Sequence, residues 1–335
     1  MKTSVKIVIA VCSVVLVAAI VCGLVFGLGG RKKAQPLGEN ADDTVLMGYT
    51  WEYVLAQAPY TDACVFETPR GLDRYWRQNR FGGSAVEAVL QVSQDGELIV
   101  LSEDLPGRSN SDILYGADKR VSDLTLQELK KLNLAYNFED ENGMMTFKAT
   151  PVEFLNELGI MTLAEFADFF ADPQRATAHL YLRFKDEAAL ADPAKAVEQA
   201  YGVLEEKGIL EKSTFVPQSN QMQAILDEKI PNQSRTASPN EAAALAKAAR
   251  KNKAQELPYE IVIVPAENPY TTEQFIHYAR NQGVYVIVEG AAAEDVAALY
   301  NAGVSGLATG NVAEFIELMN DAESAALEAL ESTTN

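Results

Sequence analysis

Histidine is nearly missing from this 335-residue chain, which has two, and cysteine is scarce, with three. Cys12 and Cys22 lie in an apolar N-terminal run, and Cys64 is the only cysteine beyond it. No intrachain disulfide can therefore brace the rest of the chain, and cysteine usage leaves the compartment open. Positive charge is also short. Lys and Arg number 28 against 47 Asp and Glu, for a net charge of −19. All the acidic residues follow residue 33 while five of the basic ones precede it, so 23 basic residues face 47 acidic ones in the remainder, a balance of −24. That charge argues against nucleic acid and anionic lipid surfaces as partners and serves solubility.

Long hydrophobic runs are missing too, with one exception. Residues 7–30 contain no charged side chain, and as a helix they would extend roughly 36 Å, more than the ~30 Å hydrocarbon core of a bilayer. The run exceeds the h-region of a signal peptide and no A-x-A cleavage signal precedes Arg31-Lys32-Lys33. Cys22 after Ala19-Ile20-Val21 is only faintly like a lipidation site. The expectation is an uncleaved single-pass anchor over 1–33 in the cell membrane. Lys2 and Lys6 nearly balance Arg31, Lys32 and Lys33, so charge bias leaves the orientation open. A signal anchor would put the large domain outside the cytoplasm, and a cytoplasmic domain is the alternative.

Residues 34–61 read as a polar tether running into an amphipathic lead-in around Trp51, Tyr53 and Leu55. Beyond it, short runs rich in β-branched and aromatic residues recur at 64–67, 86–92, 98–102, 180–185, 213–216, 260–264, 284–288 and 306–309. Capping boxes announce helices between them: Thr125 with Glu128, Thr162 with Glu165, Ser238 with Glu241, and Thr271 with Gln274. Strands alternating with helices imply a parallel sheet, and eight strands in this length match a closed (β/α)8 barrel over 62–320, with an open doubly wound sheet as the alternative. Gln94-Asp95-Gly96-Glu97 is a tight turn that departs from strict alternation. Residues 104–178 are too long for one crossover, and about 104–160 read as an insertion. Residues 321–335 read as an acidic tail.

Three ordered stretches carry a resemblance to a known family. Residues 86–103, with Glu87, the Asp95-Gly96 turn and Ser102-Glu103, come first; Arg108-Ser109-Asn110 and Val121-Ser122-Asp123-Leu124-Thr125-Leu126 follow; Gly283-Val284-Tyr285-Val286, Glu294-Asp295 and Ala302-Gly303-Val304-Ser305-Gly306 close the series. Together they resemble the glycerophosphodiester phosphodiesterase family. The resemblance implies a (β/α)8 barrel, hydrolysis of glycerophosphodiesters to glycerol 3-phosphate and an alcohol, a divalent metal held by carboxylates, and two histidines as general acid and base.

Carried over position by position, the resemblance implies loss of the machinery. Pro69, in Thr68-Pro69-Arg70-Gly71, replaces the first histidine, and Ser102 replaces the second, with Glu103 for the aspartate after it. The E-x-D metal pair becomes Glu87 and Val89, a third metal carboxylate becomes Arg183, and the tryptophan of the seventh strand becomes Val288. No catalytic residue and no metal site is expected to survive, and Glu87 is vestigial. In a barrel the chemistry sits at the C-terminal strand ends, where His179, at the start of a run, would not be; His277 reads as an ordinary helix residue.

Arg70, Glu87, Glu103, Arg183 and Lys185 are expected to line the mouth. Arg183 and Arg70 could meet Glu87 as fixed cations, either holding the barrel together or binding a phosphorylated polyol or headgroup. The leading reading is thus a membrane-anchored binding or assembly module without a cofactor, its partner a phosphorylated small molecule or a protein. The alternative is a divergent hydrolase using Ca²⁺ or Mg²⁺ on an acidic rim of Glu67, Glu87, Glu103, Glu267 and Glu289.

Overall fold

The computed structural model describes residues 53–56, 67–73, 85–139, 143–175, 179–253, 257–268 and 271–334. Its strands are β1 (Tyr53–Ala56), β2 (Ala85–Val92), β3 (Leu98–Val100), β4 (Met161–Thr162), β5 (His179–Phe184), β6 (Ser213–Phe215), β7 (Ile261–Pro265), β8 (Tyr285–Glu289) and β9 (Gly306–Thr309). β1 pairs in parallel with β2, β2 with β5, and β5 with β6. β7 pairs in parallel with β8, β8 with β9, and β9 returns to β1. Between β6 and β7 the ring is completed by two residues, Arg235 bridging Phe215 and Thr236 bridging Ile261. The result is a closed (β/α)8 barrel in which one strand position is only two residues long.

Alternation along the parallel strands separates two apolar layers. Ala85, Tyr181, Val216, Ile261, Ile287 and Ala308, from six members of the ring, pack together in its interior. The neighbouring positions Val86, Leu182, Phe215, Val262, Val286 and Leu307 face the helices in the main core. Four of those helices are α1 (Pro193–Glu206), α2 (Asn220–Lys229), α3 (Pro239–Ala249) and α4 (Glu273–Asn281). The capping boxes at Thr125, Thr162 and Ser238 form. The fourth is displaced by one residue: Thr272 caps α4, while the Thr271 hydroxyl donates to the Pro265 carbonyl at 2.8 Å.

Two strand expectations need correction. β3 is not in the ring; it runs antiparallel to β2, after a turn at Gly96 (φ 90°), and pairs antiparallel with β4. A turn this tight permits only a hairpin, whatever the β-propensity of the run it joins. The ring instead starts at β1, inside the 34–61 stretch read as a lead-in. Four residues are too few for alternation to register, and β1 is a strand because it has a neighbour on each side. Glu67 sits in a turn rather than a strand, and 64–66 lie outside the described residues.

Between β3 and β4 the chain builds a separate apolar cluster, in which Ile99, Leu101 and Leu105 meet Leu129, Leu132 and Leu158. Among the described residues no helix is long and apolar enough to cross a membrane. Residues 7–30, on which the anchor expectation rests, lie outside them.

Candidate functional site

Glu87 and Arg183 project into the barrel from adjacent strands, with Val89 the register partner of Arg183. Glu289 is the last residue of β8, and Gln218 lies three residues past the end of β6. All four meet at the C-terminal ends of the strands, the mouth. Arg183 Nη2 lies 2.7 Å from Glu87 Oε1 and 3.5 Å from Glu289 Oε2. With its amide oxygen turned to face donors rather than acceptors, Gln218 accepts from Arg183 Nη1 at 3.0 Å and from Nε at 2.9 Å. The guanidinium is thus held by three oxygen-bearing side chains. A cleft of about 390 Å³ opens beside it, bordered by Arg183, Gln218 and Glu289 on its polar side and by Ile263, Pro265 and Phe275 on its apolar side.

A second cluster forms around Glu67, which is buried. Glu67 accepts from the Ser102 backbone N–H at 2.5 Å, from the Ser102 hydroxyl at 3.0 Å, and from Arg108 Nη1 at 2.7 Å. Arg108 also reaches Glu103 at 3.2 Å. Burial pushes the Glu67 carboxyl above the usual carboxylate range, against the lowering influence of Arg108 and Ser102. Pro69 opens a helical turn at residues 69–73, following Thr68, whose hydroxyl accepts from the Gly71 N–H at 3.1 Å. Proline suits that first helical position.

The remaining expected site residues divide. Lys185 pairs with Asp104 at 2.7 Å. Arg70 does not meet Glu87: it is exposed, 3.6 Å from Glu157 and stacked over Phe147 at 5.5 Å, so it faces the segment between β3 and β4. Its position in a helical turn directs it outward. Glu267 is exposed. Gln218 was not anticipated; the available signal was its place just past a strand end, in Val216-Pro217-Gln218.

His179 begins β5, at the end of the barrel away from the mouth, and its Nε2 lies 2.8 Å from the Thr214 hydroxyl, which is 3.0 Å from that of Ser234. Burial lowers its pKa from 6.5 to about 4. A histidine held neutral this way binds fewer protons folded than unfolded. Its contribution to stability is therefore complete above 6.5 and is lost as pH falls toward about 4. His179→Gln is expected to flatten that loss, read from denaturant midpoints near about pH 7 and about pH 5; an unchanged difference between the two would refute the assignment. His277 lies on α4, 3.9 Å from Glu273.

The mouth does not fit a divalent cation as it stands. A hard cation needs carboxylate oxygens facing it, and those of Glu87 and Glu289 face a fixed positive charge instead. Among the described residues, no group of three or more His, Cys, Asp or Glu side chains is placed to hold a metal ion.

A closed parallel barrel with polar side chains gathered at the C-terminal strand ends defines the (β/α)8 barrel class, whose sites lie on that face. The glycerophosphoryl diester phosphodiesterase family model matches residues 78–314, and the chain belongs to that family. A search of curated proteins finds no match. Among solved structures, a putative glycerophosphoryl diester phosphodiesterase from Silicibacter pomeroyi is similar with a TM-score of 0.61 at 15% identity, over 84% of this chain and 97% of that one. A glycerophosphoryl diester phosphodiesterase domain from Mycobacterium tuberculosis gives 0.60 at 16% identity, over 81% and 99%. A putative glycerophosphodiester phosphodiesterase from Galdieria sulphuraria gives 0.57 at 15%, over 80% and 97%. At these identities the likeness is one of fold.

Proposed function

We propose that this chain is a non-catalytic member of its family, anchored in the cell membrane by residues 7–30, with the barrel outside the cytoplasm and its mouth serving as a binding site for a small molecule or a protein partner. The observation that carries the reading is the position of the two histidines: His179 starts its strand, at the end away from the mouth, and neither histidine borders the cleft beside Arg183. A proton shuttle needs a group that titrates near neutrality in reach of the scissile bond. Pro69 has no such group. Ser102 is tied to Glu67 through both its N–H and its hydroxyl. The anchor follows from the length and lack of charge of residues 7–30, and a phosphorylated headgroup or polyol phosphate is one ligand class consistent with the family.

The full chain, recovered from the membrane fraction after a carbonate wash and purified in detergent, is expected to release no glycerol 3-phosphate from glycerophosphocholine or glycerophosphoethanolamine, with or without Ca²⁺ or Mg²⁺. Turnover that Glu67→Gln abolishes would make the domain a divergent hydrolase using a buried carboxyl as its acid. Recovery of the chain in the carbonate supernatant would remove the anchor.

A further inference from the structure

We propose that the segment between β3 and β4 carries a second binding surface, separate from the mouth, that takes a cationic amphipathic helix of a partner protein. None of its residues borders the cleft beside Arg183, so the assignment does not depend on whether the barrel is catalytic.

Six large apolar side chains are exposed among the described residues, and five of them, Ile113, Leu114, Met144, Met145 and Phe154, fall in this one segment, each between 40% and 63% exposed. Scattered singly, such residues are ordinary; gathered, they mark an interaction surface. A buried asparagine gathers these. The Asn133 N–H donates to Asn110 Oδ1 at 2.9 Å, its Nδ2 donates to the Phe147 carbonyl at 2.9 Å, and the next N–H, of Leu134, donates to the Leu158 carbonyl at 3.0 Å. Each of the five lies within four residues of Asn110, Phe147 or Leu158. Three lengths of chain are therefore held side by side, and the unbranched methionines let the surface adapt to what covers it.

Charge says what that is. Exposed carboxylates accompany each length: Asp112 beside Ile113, Glu139 ahead of Met144, and Glu153 beside Phe154. The only described cation within residues 110–115, 139–148 and 153–158 is Lys148, and it lies over the Tyr136 ring at 5.2 Å. An apolar face accompanied by carboxylates complements a helix with apolar residues on one side and Lys or Arg on the other. A second copy of this chain would bring the same carboxylates against these. A bilayer would draw them toward hydrocarbon, where a charge is costly.

The test uses the full chain in phosphatidylcholine nanodiscs and a fluorescein-labelled amphipathic helix of leucine and lysine, about 18 residues long, read by anisotropy with empty discs as the blank. If a carbonate wash releases the chain, the same titration is run in buffer. Wild type is expected to bind the peptide saturably, and a scrambled peptide of the same composition at least about tenfold more weakly. Met144→Ser with Met145→Ser, and separately Phe154→Ser, should each weaken binding by about tenfold while leaving the melting temperature unchanged, because these side chains are exposed. Asp112→Asn with Glu153→Gln should weaken it as well and flatten its dependence on salt. The proposal is overturned if the two peptides bind alike, or if the methionine and phenylalanine variants bind as wild type does. It is also overturned by a dimer in sedimentation that Phe154→Ser dissociates, which would give the surface to a second copy. Quenching by nitroxide-labelled lipid of a bimane on Met144→Cys, in a peptide-free chain whose other cysteines are serine, would give it to the bilayer and overturn the proposal too.

Discussion

Arg235→Ala is expected to destabilise the protein by about 3 kcal/mol, a fall in Tm of roughly 5 °C for a domain of this size. Arg235 is buried at the shortest position of the ring. It donates to Asp227 through Nε at 2.7 Å and Nη2 at 3.1 Å, to Glu241 through Nη1 at 2.7 Å and Nη2 at 3.0 Å, and to the Thr236 carbonyl at 3.1 Å. Asp227 is on α2 and Glu241 on α3, so one guanidinium fastens two helices over a strand position that has only two backbone bridges. Glu241 also accepts from the Ser238 N–H at 2.8 Å, so its displacement weakens the cap of α3. Two planar bidentate contacts suit arginine and not lysine, so Arg235→Lys should recover only part of the loss. Equilibrium denaturation measures both variants, and a loss below about 1 kcal/mol for alanine would show that the helices hold the position without the pair.

The second large effect lies at the mouth. Glu87→Leu should cost about 3 kcal/mol, because it leaves Arg183 partly buried with its nearest carboxylate gone, whereas Glu87→Leu with Arg183→Met should be close to wild type or above it. The side chain of Glu87 is 2% exposed and that of Arg183 is 19%. Desolvation of both charges opposes their attraction, so well-packed apolar replacements need not be worse than the pair. The double-mutant cycle gives the coupling directly. If the double variant is as unstable as the sum of the singles, the pair carries no special energy and the cost is one of packing alone.

Several barrel strands were legible because their apolar runs are buried on both faces and need no partner to be recognised. Leu180-Tyr181-Leu182-Arg183-Phe184 is one, and the family resemblance, not the run itself, placed its Arg183 at the mouth, where it lies in register with Val89 next to Glu87. Ser234-Arg235-Thr236-Ala237 was not legible. It is polar, and it lies extended because β6 and β7 flank it, a tertiary fact with no local signature. Leu98-Ile99-Val100 failed for the opposite reason: its propensity is high, yet the turn before it decides its direction. At the site, the Glu87–Arg183 contact followed from the family resemblance, which puts both residues at metal-ligand positions, and opposite charges there attract. Gln218 and the Arg108–Glu67 pair come from loops, whose course the sequence does not constrain.

β1 pairs with β2 on one side and with β9 on the other. During synthesis β1 and β2 leave the ribosome early, and β9 leaves last. At roughly 5–20 residues per second, the outer edge of β1 would wait on the order of ten to fifty seconds for its partner. An unpaired strand edge is a template for another chain. At four residues, β1 offers few backbone groups for such pairing. The brevity that hid β1 in the sequence also limits how strongly one nascent chain can hold another before the ring closes.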